Sequence, residues 1–271
     1  MTTAAAPALA RATHIPPSPY RLSFPRLVRS EWLKLATLRS TWWSIGLVAV
    51  LTIGIATLIA STIDDDFPAI LTVVSGVQFT MLLAGILGVI AVTGEYSTGM
   101  IRSTLAAEPR RGVVLAAKAL VVAAFMFVAS LAIFLVAAAV VTPILQRIDV
   151  AFPWGDVEGA WQPLLAASLS MSVFALIGLG FGFVIRGGAG AIAATIGLLF
   201  VLPLVFSVFS SMSGWAWLGD LGHYLPMSAS QNVITPQDEW GLSAPVALAT
   251  LGAWVVATIG AAWMALRTRD A

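Results

Sequence analysis

The stretch ALVVAAFMFVASLAIFLVAAAVVTPILQ, from Ala119 to Gln146, contains no Asp, Glu, Lys, Arg or His. A helix that crosses the hydrocarbon core of a bilayer needs about 20 predominantly apolar residues at 1.5 Å rise each, and this run exceeds that length. A helix in the core of a soluble protein keeps a polar face at a period of 3.6, and no such face occurs here. Five more charge-free runs follow the same rule: Trp42 to Ile63, Phe67 to Gly94, Gly159 to Ile185, Gly187 to Gly219, and Trp240 to Leu266. One charge at the centre of a span costs roughly 2.5–3.5 kcal/mol on the insertion scale, so clean windows are selected rather than accidental. The sequence therefore predicts an all-α, polytopic membrane protein with six transmembrane helices, at about 42–63, 68–93, 113–142, 161–185, 188–210 and 244–266. Four or five spans with one re-entrant segment is the alternative.

Composition points the same way. Of 271 residues, 59% are apolar and 10% charged, against roughly 25% charged in a soluble domain. The net charge of +1 says little about partners, and no nucleic acid is expected among them. There are no cysteines, and the two histidines, His14 and His223, lie far apart and outside the apolar runs. Disulfides, thiolate metal sites and a His-rich metal site are thus not expected. Residues 1–20, rich in Ala and Pro, lack the long apolar core of a signal peptide and are expected to be a disordered cytosolic tail. Residues 21–271 form one transmembrane domain in this reading.

Orientation follows the basic residues. With both ends in the cytoplasm, thirteen of the fourteen Lys and Arg fall on the inner side, and only Arg147 lies outside. The outer loops collect the acids, including Asp64-Asp65-Asp66, Asp149, Asp156, Glu158, Asp220, Asp238 and Glu239. Three consecutive carboxylates lack the spaced ligands and glycine turn of a calcium loop, so a solvated charge run is expected there.

Two inner segments carry more pattern than the rest. Before the first span, Phe24, Leu27, Val28, Trp32, Leu35 and Leu38 recur at three- and four-residue steps, and Arg26, Arg29, Lys34 and Arg39 avoid that stripe. This predicts an amphipathic helix with a basic face, either a plain membrane-surface anchor or a docking element. After the second span comes GEYSTGMIRSTLAAEPRR, Gly94 to Arg111. Gly94 and Gly99 permit a chain reversal. Thr98 to Ala107 suits a short helix with Ile101 and Leu105 on one side and Arg102 nearby, and Pro109 ends it. Lys118 is close enough to the interface for its stem to snorkel back. The segment reads either as a surface for a cytosolic protein or as an ordinary positive loop.

Glu31-x-x-Lys34 followed by Arg39 and Trp42, and Glu95 followed by Gly99-Met100-Ile101, Leu105, Pro109, Arg110-Arg111 and Lys118, resemble the corresponding segments of type-2 ABC exporter permeases. The likeness runs from about residue 20 to the end: six spans, an N-terminal elbow helix, a long second inner loop and a long outer segment between spans five and six. Many members have Gly-Thr where this chain has Gly99-Met100. The resemblance implies that Glu95 to Arg111, Arg102 included, is the principal coupling element for an ATP-binding subunit, with Arg186-Gly187 after span four as a lesser contact. It further implies a pair of permeases, as a homodimer or with a related chain. ATP and Mg would be held on the partner ATPase, with no cofactor in this chain.

The energy source supports that reading independently. No Asp, Glu or His lies within the charge-free windows to carry protons. That absence weakens sodium coupling less, because backbone carbonyls at broken helices can bind that ion. No G-x-x-x-x-G-K-[ST] loop occurs to hold ATP. No catalytic constellation is visible, so the chain is not expected to be an enzyme. A non-transporting scaffold or sensor is the alternative, and an intramembrane enzyme a further one. Gly178 to Gly182 and Ala84 to Gly88 are small-x-x-x-small steps, expected to let helices approach closely. Gln78, the one amide well inside a span, suits either a helix–helix hydrogen bond or a contact with cargo in a transport pathway. Residues 207–245, aromatic and proline-punctuated, are expected to form short helices at the outer interface. A charge-free set of spans suits an apolar or amphipathic cargo in the cell membrane.

Overall fold

The computed structural model describes residues 23–63, 67–213, 216–236 and 241–269. The tail at 1–20, the acidic run at 64–66, Trp215 and residues 238–240 lie outside them. Among the described residues there is no β-strand. Lipid cannot satisfy backbone N–H and C=O groups, so each crossing segment must satisfy its own as a helix.

Helix α1 (Phe24–Thr37) is joined by one extended residue, Leu38, to α2 (Arg39–Ala60). The second span is divided into α3 (Ala69–Val74) and α4 (Val77–Ser97). A short helix, α5 (Met100–Ala107), leads into α6 (Arg111–Leu145). Then come α7 (Gln162–Ile185), opened by a π-helical turn at Val157–Trp161, and a fifth span of α8 (Gly188–Ile196) and α9 (Leu202–Ser213) joined by a second π turn. Two short helices, α10 (Ala216–Gly222) and α11 (Pro226–Ile234), precede α12 (Ala244–Thr268). Among the described residues, six helical segments are long and apolar enough to cross a membrane, which gives the fold of a multi-pass membrane protein.

Helix ends differ from the expected ones for physical reasons. The second span continues past Gly94 to Ser97, carrying Glu95 inside the helix. The third begins at Arg111 and includes Lys118; its 35 residues extend about 52 Å, well beyond a 30 Å hydrocarbon core. The interruption at Ser75-Gly76 was not expected from sequence. There Ser75 Oγ donates to Leu71 O, and the Ile55 side chain lies against Gly76.

Span four is the hub and is mostly buried, whereas span five is mostly exposed at the edge of the bundle. The α4–α7 pair is the most extensive helix contact. A Cβ at Gly88 would stand 1.9 Å from Ala175 O, and one at Gly178 would stand 1.9 Å from Gly85 O. The two backbones thus touch, as the spacing of small residues predicts. Helix α11 enters the bundle: Ala229, Ser230 and Ile234 are buried, and Ser230 Oγ donates to Met81 Sδ at 3.4 Å.

Candidate functional site

One end of the bundle gathers α1, α5 and the ends of α4, α6, α7 and α12. Its centre is a ring of four charges. Glu31 and Lys34 sit three residues apart on α1, Glu95 is in the last turn of α4, and Lys118 is two turns into α6. Lys34 Nζ donates to Glu31 Oε1 at 2.7 Å and to Glu95 Oε1 at 2.9 Å. Lys118 Nζ donates to Glu31 Oε2 at 2.5 Å and to Glu95 Oε1 at 2.7 Å. Glu31, Glu95 and Lys118 are buried. Two ammonium groups balance two carboxylates, and each carboxylate joins both lysines. Such closure matters because an ion taken out of water needs its partners to offset a desolvation cost of several kcal/mol.

Lys34 makes a third contact, donating to Thr104 Oγ1 of α5 at 3.3 Å. The ring therefore links four helices: α1, α4, α5 and α6. Glu95 Oε2 is buried with no hydrogen-bond partner among the described residues, and Glu95 and both lysines line a cavity of 320 Å³ whose other walls include Leu35, Ile90 and Val121.

Lys34, expected on the polar face of α1, and Lys118, expected to snorkel to the interface, both point into the protein instead. Burial alone would lower the Lys34 pKa, but the hydrogen bonds to Glu31 and Glu95 outweigh it and hold the ammonium above its usual 10.5. A raised folded-state pKa stabilises fully below the unfolded value and is lost as pH rises through the folded one. Alkali is therefore expected to loosen α1 only above pH 10.5. The chain has no native cysteine, so a fluorophore on Leu33→Cys would report this, and release near neutral pH would contradict it.

A second cluster adjoins the first through Tyr96. The Arg186 guanidinium lies 5.3 Å from the centre of the Tyr96 ring, and its Nη2 donates to Ala265 O and Arg269 O, both at 3.4 Å. Arg111 Nη1 donates to Leu266 O and, at 3.1 Å, to Arg269 O. In return, Arg269 Nη1 donates to Val184 O at 3.0 Å. These cations meet the carbonyl ends of α12 and α7, where the helix dipole favours positive charge. Arg186 itself is left-handed at φ 63°, a conformation costing a non-glycine residue about 1–2 kcal/mol. Its side-chain contacts hold it there.

The coupling residues expected from sequence divide by position. Gly99, at φ 72°, makes the reversal into α5. Ile101 is buried beneath α5 and Leu105 packs on the core, leaving Arg102 exposed. Pro109 and Arg110 are exposed before α6, and Arg110 Nε donates to Glu108 Oε1 at 3.0 Å. Arg111 and Arg186 turn inward to α12, while Gly187 is an exposed cap of α8. On the first helix, Trp32 packs edge-on to Phe125, ring centres 5.9 Å apart, and Arg39 is exposed at the start of α2. Gln78 is exposed at the opposite end of α4, about 26 Å from Glu95 along the helix. It does not join the charge ring.

The signal for the ring lay in α1. Glu31 occupies the stripe position between Leu27 and Leu35, and a carboxylate in the middle of an apolar face needs a buried partner. No group of three or more metal-ligating side chains occurs among the described residues. No protein-family model matches the chain, nor does any curated protein sequence.

Proposed function

We propose that this chain is the membrane-spanning subunit of an ABC transporter, an exporter of apolar or amphipathic cargo driven by a separate ATP-binding subunit. In this reading it works as one of two permeases in the cell membrane, both termini cytoplasmic, with ATP and Mg on the ATPase. Helix α1 is the elbow lying on the inner leaflet, and α5 is the coupling helix. The reading rests on the resemblance of residues 31–42 and 94–118 to type-2 exporter permeases. The observation that favours it most is the hydrogen bond from Lys34 to Thr104, which ties α5 to the charge ring. A push on Arg102 or its neighbours moves α5. Through Thr104 and Lys34 the displacement reaches spans two and three, because charges at low dielectric resist separation far more strongly than in water.

The test is purification of the full chain from its own membranes, with copurifying proteins identified by mass spectrometry and ATP hydrolysis measured. An ABC ATPase retained by the wild type and lost, or left unstimulated, in Arg102→Glu supports the proposal. Absence of any such subunit, or full stimulation of it by Arg102→Glu, overturns it. The exposed position of Arg102 keeps the variant's folding out of the comparison.

A further inference from the structure

We propose that the groove between α6 and α12 binds an anionic phospholipid, with the phosphate at Arg110, Arg111 and Arg267 and one acyl chain along the helices. Two cavities meet here. One, of 540 Å³, is lined by those three arginines with Pro109, Gly112 and Trp263, and no carboxylate is among its lining residues. The other, of 590 Å³, is apolar throughout and is walled by residues such as Leu120, Val256 and Ile259. They share Gly112 and Trp263, so the basic chamber adjoins the apolar one.

Charge, shape and depth choose the occupant together. The Arg267 guanidinium lies 4.0 Å from the centre of the Trp263 ring, which holds its charge at the mouth of the groove. Arg110 is 71% exposed although Glu108 pairs with it, and Arg111 is anchored on α12 carbonyls. Glu108 pairs with Arg110, and no carboxylate lines the chamber itself, so the guanidiniums give it a positive wall. Along α6 the apolar part runs from Gly112 to Ala123, about 16 Å of helix. That is the hydrocarbon depth of one leaflet, half of about 30 Å. A zwitterionic lipid would fill the groove equally but leave the positive chamber unbalanced, and a soluble anion would leave the groove empty. Basic pockets between membrane helices take lipid headgroups by this logic. None of it depends on the chain having an ATPase partner.

The experiment is lipid retention by the purified, delipidated full chain, read by native mass spectrometry after incubation with equal amounts of phosphatidylglycerol and phosphatidylcholine of matched chains. The wild type is expected to retain the anionic lipid at least tenfold over the other, with each arginine near the surface worth about five-fold. Arg110→Gln with Arg267→Gln should remove most of that preference. Leu120→Trp or Val256→Trp, at positions 50% and 73% exposed, should lower retention of both lipids by blocking the groove; having both sites guards against one variant failing to fold. Equal retention of the two lipids by the wild type overturns the proposal. So does an undiminished preference in the arginine pair, undiminished retention in both tryptophan variants, or displacement of the lipid by inorganic phosphate at matched concentration, which would mark a bare anion site.

Discussion

Lys118→Met is expected to destabilise the protein by about 3–5 kcal/mol, the cost of leaving a buried ion without its partner. Lys118 is 3% exposed and donates to both Glu31 and Glu95. Without it, two buried carboxylates share one ammonium, that of Lys34. The midpoint of thermal unfolding in detergent, followed by tryptophan fluorescence, should fall by roughly 6–20 °C. Lys118→Met combined with Glu95→Gln restores balance, since Glu31 and Lys34 remain as a neutral pair 2.7 Å apart. The double variant is therefore expected to recover at least half of the loss. If it is no more stable than the single one, packing around Lys118 and not charge balance sets the cost.

The second large effect is steric. Gly88→Val and Gly178→Val each place a Cβ where a carbonyl oxygen of the facing helix now lies, 1.9 Å away. Ordinary contact begins at 3.4 Å, so α4 and α7 must separate by roughly 1.5 Å. The obstacle is backbone and cannot rotate away as a side chain would. The loss should exceed the 1–3 kcal/mol typical of overpacking, because this is the hub contact of the bundle. Gel filtration of fluorescently tagged protein should show little monodisperse material for either variant. Gly54→Ala is the comparison: nothing lies within 4 Å of its Cβ position, and the yield should match the wild type. Normal yields from both valine variants would show that the helices are not in backbone contact.

How far the sequence disclosed these features depends on whether the cause is local. The spans were legible because desolvation acts on each window separately, and a run such as Ala119 to Gln146 declares itself. Close packing at α4 and at α7 is also legible, since Ala84 to Gly88 and Gly178 to Gly182 are small-x-x-x-small steps, but neither step names its partner helix. The short helix α5 was framed by Gly99 and Pro109. The charge ring is not legible, although all four members fall in the two patterned inner segments or beside them. Glu31, Lys34, Glu95 and Lys118 stand at the edges of charge-free windows, where each alone has an ordinary surface explanation. Only the fold brings residues 31, 95 and 118 within reach of one another. Likewise the break at Ser75-Gly76 depends on Ile55 of the neighbouring helix, which no window around residue 75 contains.

The ring also imposes an order on biosynthesis. Two of its charges, on α1, are made before any span exists, and their counterparts arrive 61 residues later at Glu95 and 84 residues later at Lys118, counting from Lys34. At about 5–20 residues per second, Lys34 waits roughly 4–17 s for Lys118 to be polymerised. During that interval Glu31 and Lys34 are available to water and headgroups, and α1 has nothing to close upon. Closure of the ring upon the first helix is thus a late event, possible only once the third span has been made.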